Sequence, residues 1–231
     1  MKKPLLYLTL FSIAMAFLES AVVVYLRIIY YPEGFDFPLA PIDASVAVTE
    51  ILRELATMIM LLTVSIISGK NFRQRFAYFI FCFGVWDIFY YVFLYLLLGW
   101  PESLFTWDIL FLIPVTWTGP VIAPVIVSFT MIGIALSVLI FDEKNKNSRI
   151  SRNVWAYWIA GAFLVFLSFI YDYSVFVLEQ NSLREIWNIS GENLFEISQD
   201  YIPESFNWLL FWAGEVMFIT GMIFIIRQKP G

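Results

Sequence analysis

Apolar residues dominate six long stretches of the chain, which are separated by shorter polar segments. An α-helix needs about 20 mostly apolar residues to cross the hydrocarbon layer of a bilayer. The stretches are apolar throughout and do not alternate every second residue, as the strands of a transmembrane barrel do. We therefore predict an all-α, polytopic integral membrane protein, a six-transmembrane-helix bundle that forms one domain over residues 1–231. The predicted spans are residues 5–30, 48–67, 76–98, 119–141, 154–178 and 206–226.

The connection between the third and fourth spans is too apolar and too rich in proline for an ordinary loop. Residues 99–124 hold four of the ten prolines of the chain, and Pro101 and Pro114 bracket a piece that is too short to span a membrane. We expect residues 103–113 to form about three helical turns, either as an interfacial helix at the outer surface or as a re-entrant segment lining a cavity. Asp108 on this apolar piece favours the re-entrant alternative.

Two further expectations concern the segments that follow. The fourth helix is predicted to carry Pro120 and Pro124 in its first turns, where proline is tolerated. The acidic outer loop over residues 179–205 is expected to be a solvated loop or a lid, with short helices over 182–188 and 190–197.

Basic residues are concentrated on one side of the six-helix arrangement. The other side is acidic, and Arg184 is its only basic residue. Positive charge is typical of cytoplasmic loops, so we predict a protein of the plasma or inner membrane with cytoplasmic N- and C-termini. Eleven of the 14 basic residues support this orientation: Lys2, Lys3, Lys70, Arg73, Arg75, Lys144, Lys146, Arg149, Arg152, Arg227 and Lys229.

The composition excludes several classes of function. Hydrophobic residues make up 61% of the chain and charged residues 14%, whereas soluble domains carry roughly 25% charge. The net charge of −5 leaves no basic surface for nucleic acid. The chain has no His and one Cys, so we expect no Ser-His-Asp triad, no His-ligated zinc and no haem.

Charged residues inside the predicted spans are the main functional signal. An ionised group at the bilayer centre costs about 2.5–3.5 kcal/mol on insertion scales, so such groups should face the bundle interior, pair, hold a proton or touch water. With the predicted orientation, all of them lie between the midplane and the outer surface. The acids are Glu19, Glu50, Glu54, Asp87, Asp172 and Glu215, and the bases are Arg27 and Arg53.

Helical geometry places several of these residues on shared faces. At about 100° per residue, Glu50, Arg53, Glu54 and Thr57 form one polar stripe roughly 100° wide. On the third helix, Tyr91 lies about 40° from Asp87. We predict a polar core that opens toward the outside. Its principal residues are Glu19, Glu50, Arg53, Glu54, Asp87 and Glu215, with Arg27, Thr57, Tyr91, Asp108 and Asp172 as secondary members.

An ion-pair network between helices is one interpretation of this core. Arg53 is expected between Glu50 and Glu54 and within reach of Glu19 or Asp87. Arg27 is expected to extend to the outer surface or to pair with Asp172.

Six acids against two bases nevertheless leave a surplus of four negative charges. Protonation or a bound hard cation such as Na⁺, Ca²⁺ or Mg²⁺ can neutralise this surplus. Glu50, Glu54 and Asp87 are the candidate metal ligands.

These residues lead to three hypotheses of function. The first is binding or transport of a cation or proton through the acidic core. The second is a membrane-embedded enzyme that uses carboxylates or a metal ion on a lipid or isoprenoid. The third is a structural or accessory subunit of a membrane complex. The expected partners are the lipid bilayer and either a second copy of the chain or other membrane subunits, and no nucleic acid.

Overall fold

The computed structural model describes residues 2–145, 149–180 and 200–228. These residues form six helices that are long and apolar enough to cross a membrane, as predicted. That they cross one, and with cytoplasmic termini, stays a prediction. The helices expected over 182–188 and 190–197 lie outside the described residues. The six helices are α1 (Lys2–Tyr30), α2 (Ala44–Ser68), α3 (Phe72–Leu98), α4 (Ile122–Lys144), α5 (Arg152–Gln180) and α6 (Trp208–Arg227).

Local sequence signals set several helix ends. The Asn71 side chain accepts a hydrogen bond of 3.0 Å from the Gln74 N–H at the start of α3, which satisfies one of the free donors of the first turn. Gly99 follows α3 with a φ of +68°, a conformation that glycine adopts without steric cost. Residues 69–71 alone join α2 to α3, and Gly99 turns the chain from α3 into the next segment.

The segment between α3 and α4 is a β-hairpin, so the prediction of a short helix over residues 103–113 is wrong. Strand β1 (Trp107–Phe111) pairs antiparallel with β2 (Trp117–Pro120). An isolated three-turn helix leaves its terminal N–H and C=O groups unpaired, whereas the two strands pair with each other. Pro120 therefore ends a strand and does not lie in α4, while Pro124 lies in the first turn of α4, as expected.

The hairpin inserts between the helices and does not lie across their ends. The Trp117 ring lies 5.0 Å from the Phe166 ring, centroid to centroid, and Phe166 is at the middle of the 29-residue α5. The Leu112 N–H at the hairpin turn donates to Glu54, which lies ten residues, about 15 Å, from the start of α2. The helices therefore enclose the hairpin, an arrangement compatible with the re-entrant alternative. That the hairpin re-enters a membrane stays a prediction.

Helix α3 is central and packs against α1, α2 and α4, while α6 packs against α4 and α5. Helices α1 and α2 make few contacts with each other. Both contribute to one apolar cluster at the basic end of the bundle, where α1 begins, α2 ends and α3 begins. There Leu8, Leu61 and Cys82 are at most 2% exposed and belong to one apolar cluster. Apolar side chains therefore close the space between α1, α2 and α3 at the basic end.

Candidate functional site

A cavity of about 380 Å³ lies between α1, α2, α3, the hairpin and residues 31–42. Nine of the predicted core residues line it, so residues from separate elements converge as expected. They are Glu19, Arg27, Glu50, Arg53, Glu54, Thr57, Asp87, Tyr91 and Asp108. Most of the other lining side chains are apolar, including Val23, Leu26, Leu110 and Phe111.

The polar stripe of α2 forms one wall of the cavity. Glu50, Glu54 and Thr57 are buried along one face of the helix, which agrees with the predicted periodicity. Arg53 donates to Glu50 Oε2 at 2.6 Å and also pairs with Glu19 of α1. Thr57 Oγ1 donates to Glu19 at 3.1 Å. Two side chains of α2 therefore hold α1 through a single carboxylate.

Arg27 of α1 pairs with the hairpin, and neither expectation for its partner is met. Its Nη2 donates to Asp108 Oδ1 at 3.1 Å, and Tyr91 donates to the other oxygen of Asp108 at 3.2 Å. The guanidinium carbon lies 3.6 Å from the centre of the Trp100 ring and 4.3 Å from that of Phe35. Stacking on both faces suits the planar, delocalised guanidinium group.

Arg27 nevertheless keeps an unused donor. Only 7% of the residue is exposed, and its Nη1 has no hydrogen-bond partner within the described part of the chain. A buried N–H group without an acceptor costs about 1–3 kcal/mol.

Glu54 and Asp87 differ from the other carboxylates of the cavity because their hydrogen-bond donors are neutral. Glu54 accepts from the Leu112 backbone N–H at 3.0 Å, and Asp87 accepts from the Ser128 hydroxyl at 2.7 Å. Within residues 2–145, 149–180 and 200–228, no Lys or Arg nitrogen lies within 4.0 Å of either carboxylate. When ionised, both carboxylates carry negative charge without an ion-pair partner among the described residues.

The described residues contain no group of three or more Asp, Glu or Cys side chains that could hold a metal ion. Instead, the Glu50 carboxylate pairs with Arg53, and the Asp87 carboxylate accepts a hydrogen bond from Ser128. The three predicted metal ligands, Glu50, Glu54 and Asp87, thus line the same cavity without forming a metal-binding set.

Asp172 and Glu215 lie away from the cavity, so the predicted core is smaller than expected. Asp172 accepts from the Tyr201 hydroxyl at 2.7 Å and from the Ser205 N–H at 3.1 Å, which anchors the segment before α6. Burial raises the pKa of Tyr201 well above its usual range, so this hydroxyl keeps its proton as a donor. Glu215 is 2% exposed and accepts from Thr130 of α4 at 2.6 Å.

Two aromatic residues of the site, Phe35 and Trp100, were not among the predicted members. Trp100 looks in sequence like one of several interfacial tryptophans, but it is 8% exposed and covers Arg27. Its position directly before Pro101 in the sequence does not distinguish it from those other tryptophans. The two rings belong to different connecting segments, and only the folded structure brings both of them to Arg27.

The chain matches no protein-family model, no curated protein and no solved structure. The cavity is an apolar enclosure in which five carboxylates outnumber two arginines. It can bind positive charge, hold protons and accept hydrogen bonds from a buried ligand.

Proposed function

We propose that this protein binds an organic cation in the cavity and that Glu54 and Asp87 hold its positive charge. The observation that supports the proposal is that both carboxylates face one cavity and have only neutral hydrogen-bond donors. Five carboxylates and two arginines line the cavity, which leaves a surplus of three negative charges when all are ionised. A ligand with a positive charge would reduce this surplus.

An organic cation fits the lining better than an inorganic one. Ca²⁺ takes about six to eight oxygen ligands, and Mg²⁺ requires a near-octahedral set. Apolar side chains such as Val23, Leu26 and Phe111 occupy much of the wall instead. These side chains would bury a hydrocarbon group, and the low local dielectric would strengthen its attraction to the carboxylates.

The closed basic end favours binding over a continuous transport pathway. Leu8, Leu61 and Cys82 fill the space between α1, α2 and α3 below the cavity. Transport requires these side chains to separate, because the cavity continues no further in the described conformation. Uptake of the bound cation by liposomes that contain the protein would add transport to the proposed function.

Charge-selective binding by the purified protein tests the proposal. The probes are decyltrimethylammonium and decyl sulfate, which share a ten-carbon chain and differ in the sign of the head group. Isothermal titration into protein-loaded nanodiscs, with empty nanodiscs subtracted, is expected to show binding of the cation and little binding of the anion. Glu54→Gln and Asp87→Asn should each weaken cation binding about tenfold, or about 1.4 kcal/mol.

Glu215→Gln is the matched control, because Glu215 is also a buried acid of a predicted span but does not line the cavity. This variant should bind decyltrimethylammonium like the parent. Equal binding of the two probes by the parent, or full binding by the Glu54→Gln/Asp87→Asn double variant, would refute the proposal.

A further inference from the structure

Residues 31–42, which connect α1 to α2, form one wall of the cavity at the end of the bundle that is opposite the basic end. The helices and the hairpin form most of the other walls. This wall is therefore the one that consists of a loop. Its residues that line the cavity are Tyr31, Phe35, Leu39, Ala40 and Ile42.

The loop is closed on itself. The Ala40 N–H donates to the Tyr31 hydroxyl at 2.9 Å, which joins the two ends of the stretch between them. The Phe35 ring packs edge-on against the Tyr31 ring, with centroids 5.0 Å apart, and against the Phe37 ring at 5.6 Å. Three prolines restrict the backbone further. Compact surface loops of this kind are frequently functional, and we expect this one to move as a unit.

Few polar contacts hold the loop on the rest of the protein. Every hydrogen bond that residues 32–42 make with other described residues stays within residues 31–42. The hairpin, in comparison, forms the ion pair between Asp108 and Arg27 and the hydrogen bond from Leu112 to Glu54. Regions with few such contacts open at a lower free-energy cost than the core does. The loop is therefore more easily displaced than the hairpin.

Two aromatic rings dock the loop on the bundle. The Phe35 ring covers one face of the Arg27 guanidinium group, 4.3 Å from its carbon, and packs against the Trp100 ring with centroids 5.8 Å apart. The Phe37 ring packs edge-on against the Tyr201 ring at 6.0 Å. Phe37 does not line the cavity, so its contact holds the loop in place without belonging to the site.

Tyr201 is a fixed partner for Phe37. The residue is 1% exposed. Its hydroxyl donates to Asp172 of α5 at 2.7 Å and lies 2.8 Å from the Thr118 hydroxyl of the hairpin. Tyr201 is thus bonded to two elements of the bundle, whereas Phe37 belongs to a loop without such bonds. Separation of the two rings would release the loop at this point.

We propose that residues 31–42 are a flap, which covers the cavity while Phe37 lies against Tyr201 and uncovers it when the two rings separate. Movement of the flap opens the cavity to solvent at the end opposite the basic end. The proposal concerns access alone. It is independent of the charge of the ligand and therefore of the proposed function.

A thiol inside the cavity measures how often the flap is open. Thr57 lines the cavity and is 2% exposed, so Thr57→Cys places a thiol behind the flap. The probe is 2-(trimethylammonium)ethyl methanethiosulfonate, whose permanent charge keeps it out of hydrocarbon. Labelling of the protein in nanodiscs is followed by intact mass. The native Cys82, buried in the apolar cluster, shows whether the bundle stays folded.

Phe37→Ala should label Thr57→Cys at least about fivefold faster, because loss of the ring contact raises the open fraction of the flap. Phe105→Ala is the matched control, since Phe105 is 69% exposed and does not line the cavity, and it should keep the parental rate. In Tyr201→Leu, which removes the other ring, Phe37→Ala should have little further effect. Cys82 should stay unlabelled throughout.

Several results would overturn the flap. Equal labelling rates in Phe37→Ala and Phe105→Ala would do so, as would an absence of labelling at Thr57→Cys in every variant. Labelling of Cys82 together with Thr57→Cys would mean that the helices separate instead. A full effect of Phe37→Ala in the Tyr201→Leu background would overturn the role of Tyr201. The preference between decyltrimethylammonium and decyl sulfate is measured separately, so the proposed function can stand or fail without the flap.

Discussion

Arg27 shows how one residue connects three parts of the molecule. It belongs to α1, pairs with Asp108 of the hairpin and stacks on Trp100 and Phe35 from two different connecting segments. Both members of the ion pair are buried, with side-chain exposures of 8% and 3%. Removing one charge from such a pair leaves the other buried without compensation, which is far more costly than removing both.

We therefore expect Arg27→Leu to destabilise the protein by about 3–5 kcal/mol. The double variant Arg27→Leu/Asp108→Asn should recover part of this loss, because it removes the unpaired carboxylate as well. Thermal unfolding in detergent, followed by intrinsic Trp fluorescence, measures both effects. Lys3→Gln, at an exposed position of the basic end, is the control and should unfold like the parent. A double variant no more stable than Arg27→Leu would contradict a charge-based role for the pair.

At the residue scale, the sequence predicts those features of the site that depend only on local helical geometry. The shared face of Glu50, Glu54 and Thr57 follows from the rotation per residue of any α-helix. The partner of Arg27 could not be found in this way, because Asp108 lies 81 positions further along the chain. Its location depends on the structure of residues 103–113, for which the sequence predicts a helix, whereas Asp108 lies in strand β1.

At the scale of elements, long apolar runs determine a structure that short ones do not. A run of about 20 apolar residues has few alternatives to a helix in a membrane. The eleven residues expected to form a helix before α4 have no such constraint, and short apolar pieces are compatible with helix or strand. The second strand, Trp117–Pro120, contains Gly and Pro, both of which are rare in strands. Its pairing with Trp107–Phe111 inside the bundle determines the conformation of this strand.

The hairpin is held in the bundle by Trp117, whose ring packs on Phe166 and Phe169 of α5. Truncating such a side chain typically costs about 3–5 kcal/mol. We expect Trp117→Ala to lower stability by this amount in thermal unfolding and to weaken decyltrimethylammonium binding, because the hairpin forms part of the cavity wall. Trp212→Ala is the control, since this tryptophan is 50% exposed on α6. Equal unfolding temperatures for the two variants would show that Trp117 does not hold the hairpin.

At the scale of the whole molecule, the cavity and the closed basic end divide the bundle into two halves. The single cysteine of the chain reports on this division. Cys82 is 0% exposed and packs in the apolar cluster below the cavity, where α1, α2 and α3 meet. Its thiol becomes accessible only when these helices separate.

We expect a maleimide reagent to leave Cys82 unlabelled in the native protein and to label it fully in sodium dodecyl sulfate. Ile51→Cys, at a residue that lines the cavity and is 41% exposed, should add one thiol that is labelled faster than Cys82 under native conditions. Mass spectrometry of the intact protein counts the labels. Rapid native labelling of Cys82 would mean that the cavity extends to the basic end and that a continuous pathway exists.

The contacts of the hairpin also show which wall of the cavity, α1 or α2, it binds more weakly. Asp108 at the root of the hairpin bonds α1 by a charge-assisted pair, whereas the turn bonds α2 through the Leu112 amide and the oxygens of Glu54. An ammonium group that takes up Glu54 competes with that amide for the same lone pairs. A bound ammonium group would therefore weaken one contact, the hydrogen bond between the hairpin turn and α2. The ion pair of the hairpin with α1 and its ring contacts with α5 would remain, so α2 is the wall whose bond to the hairpin depends on the occupant.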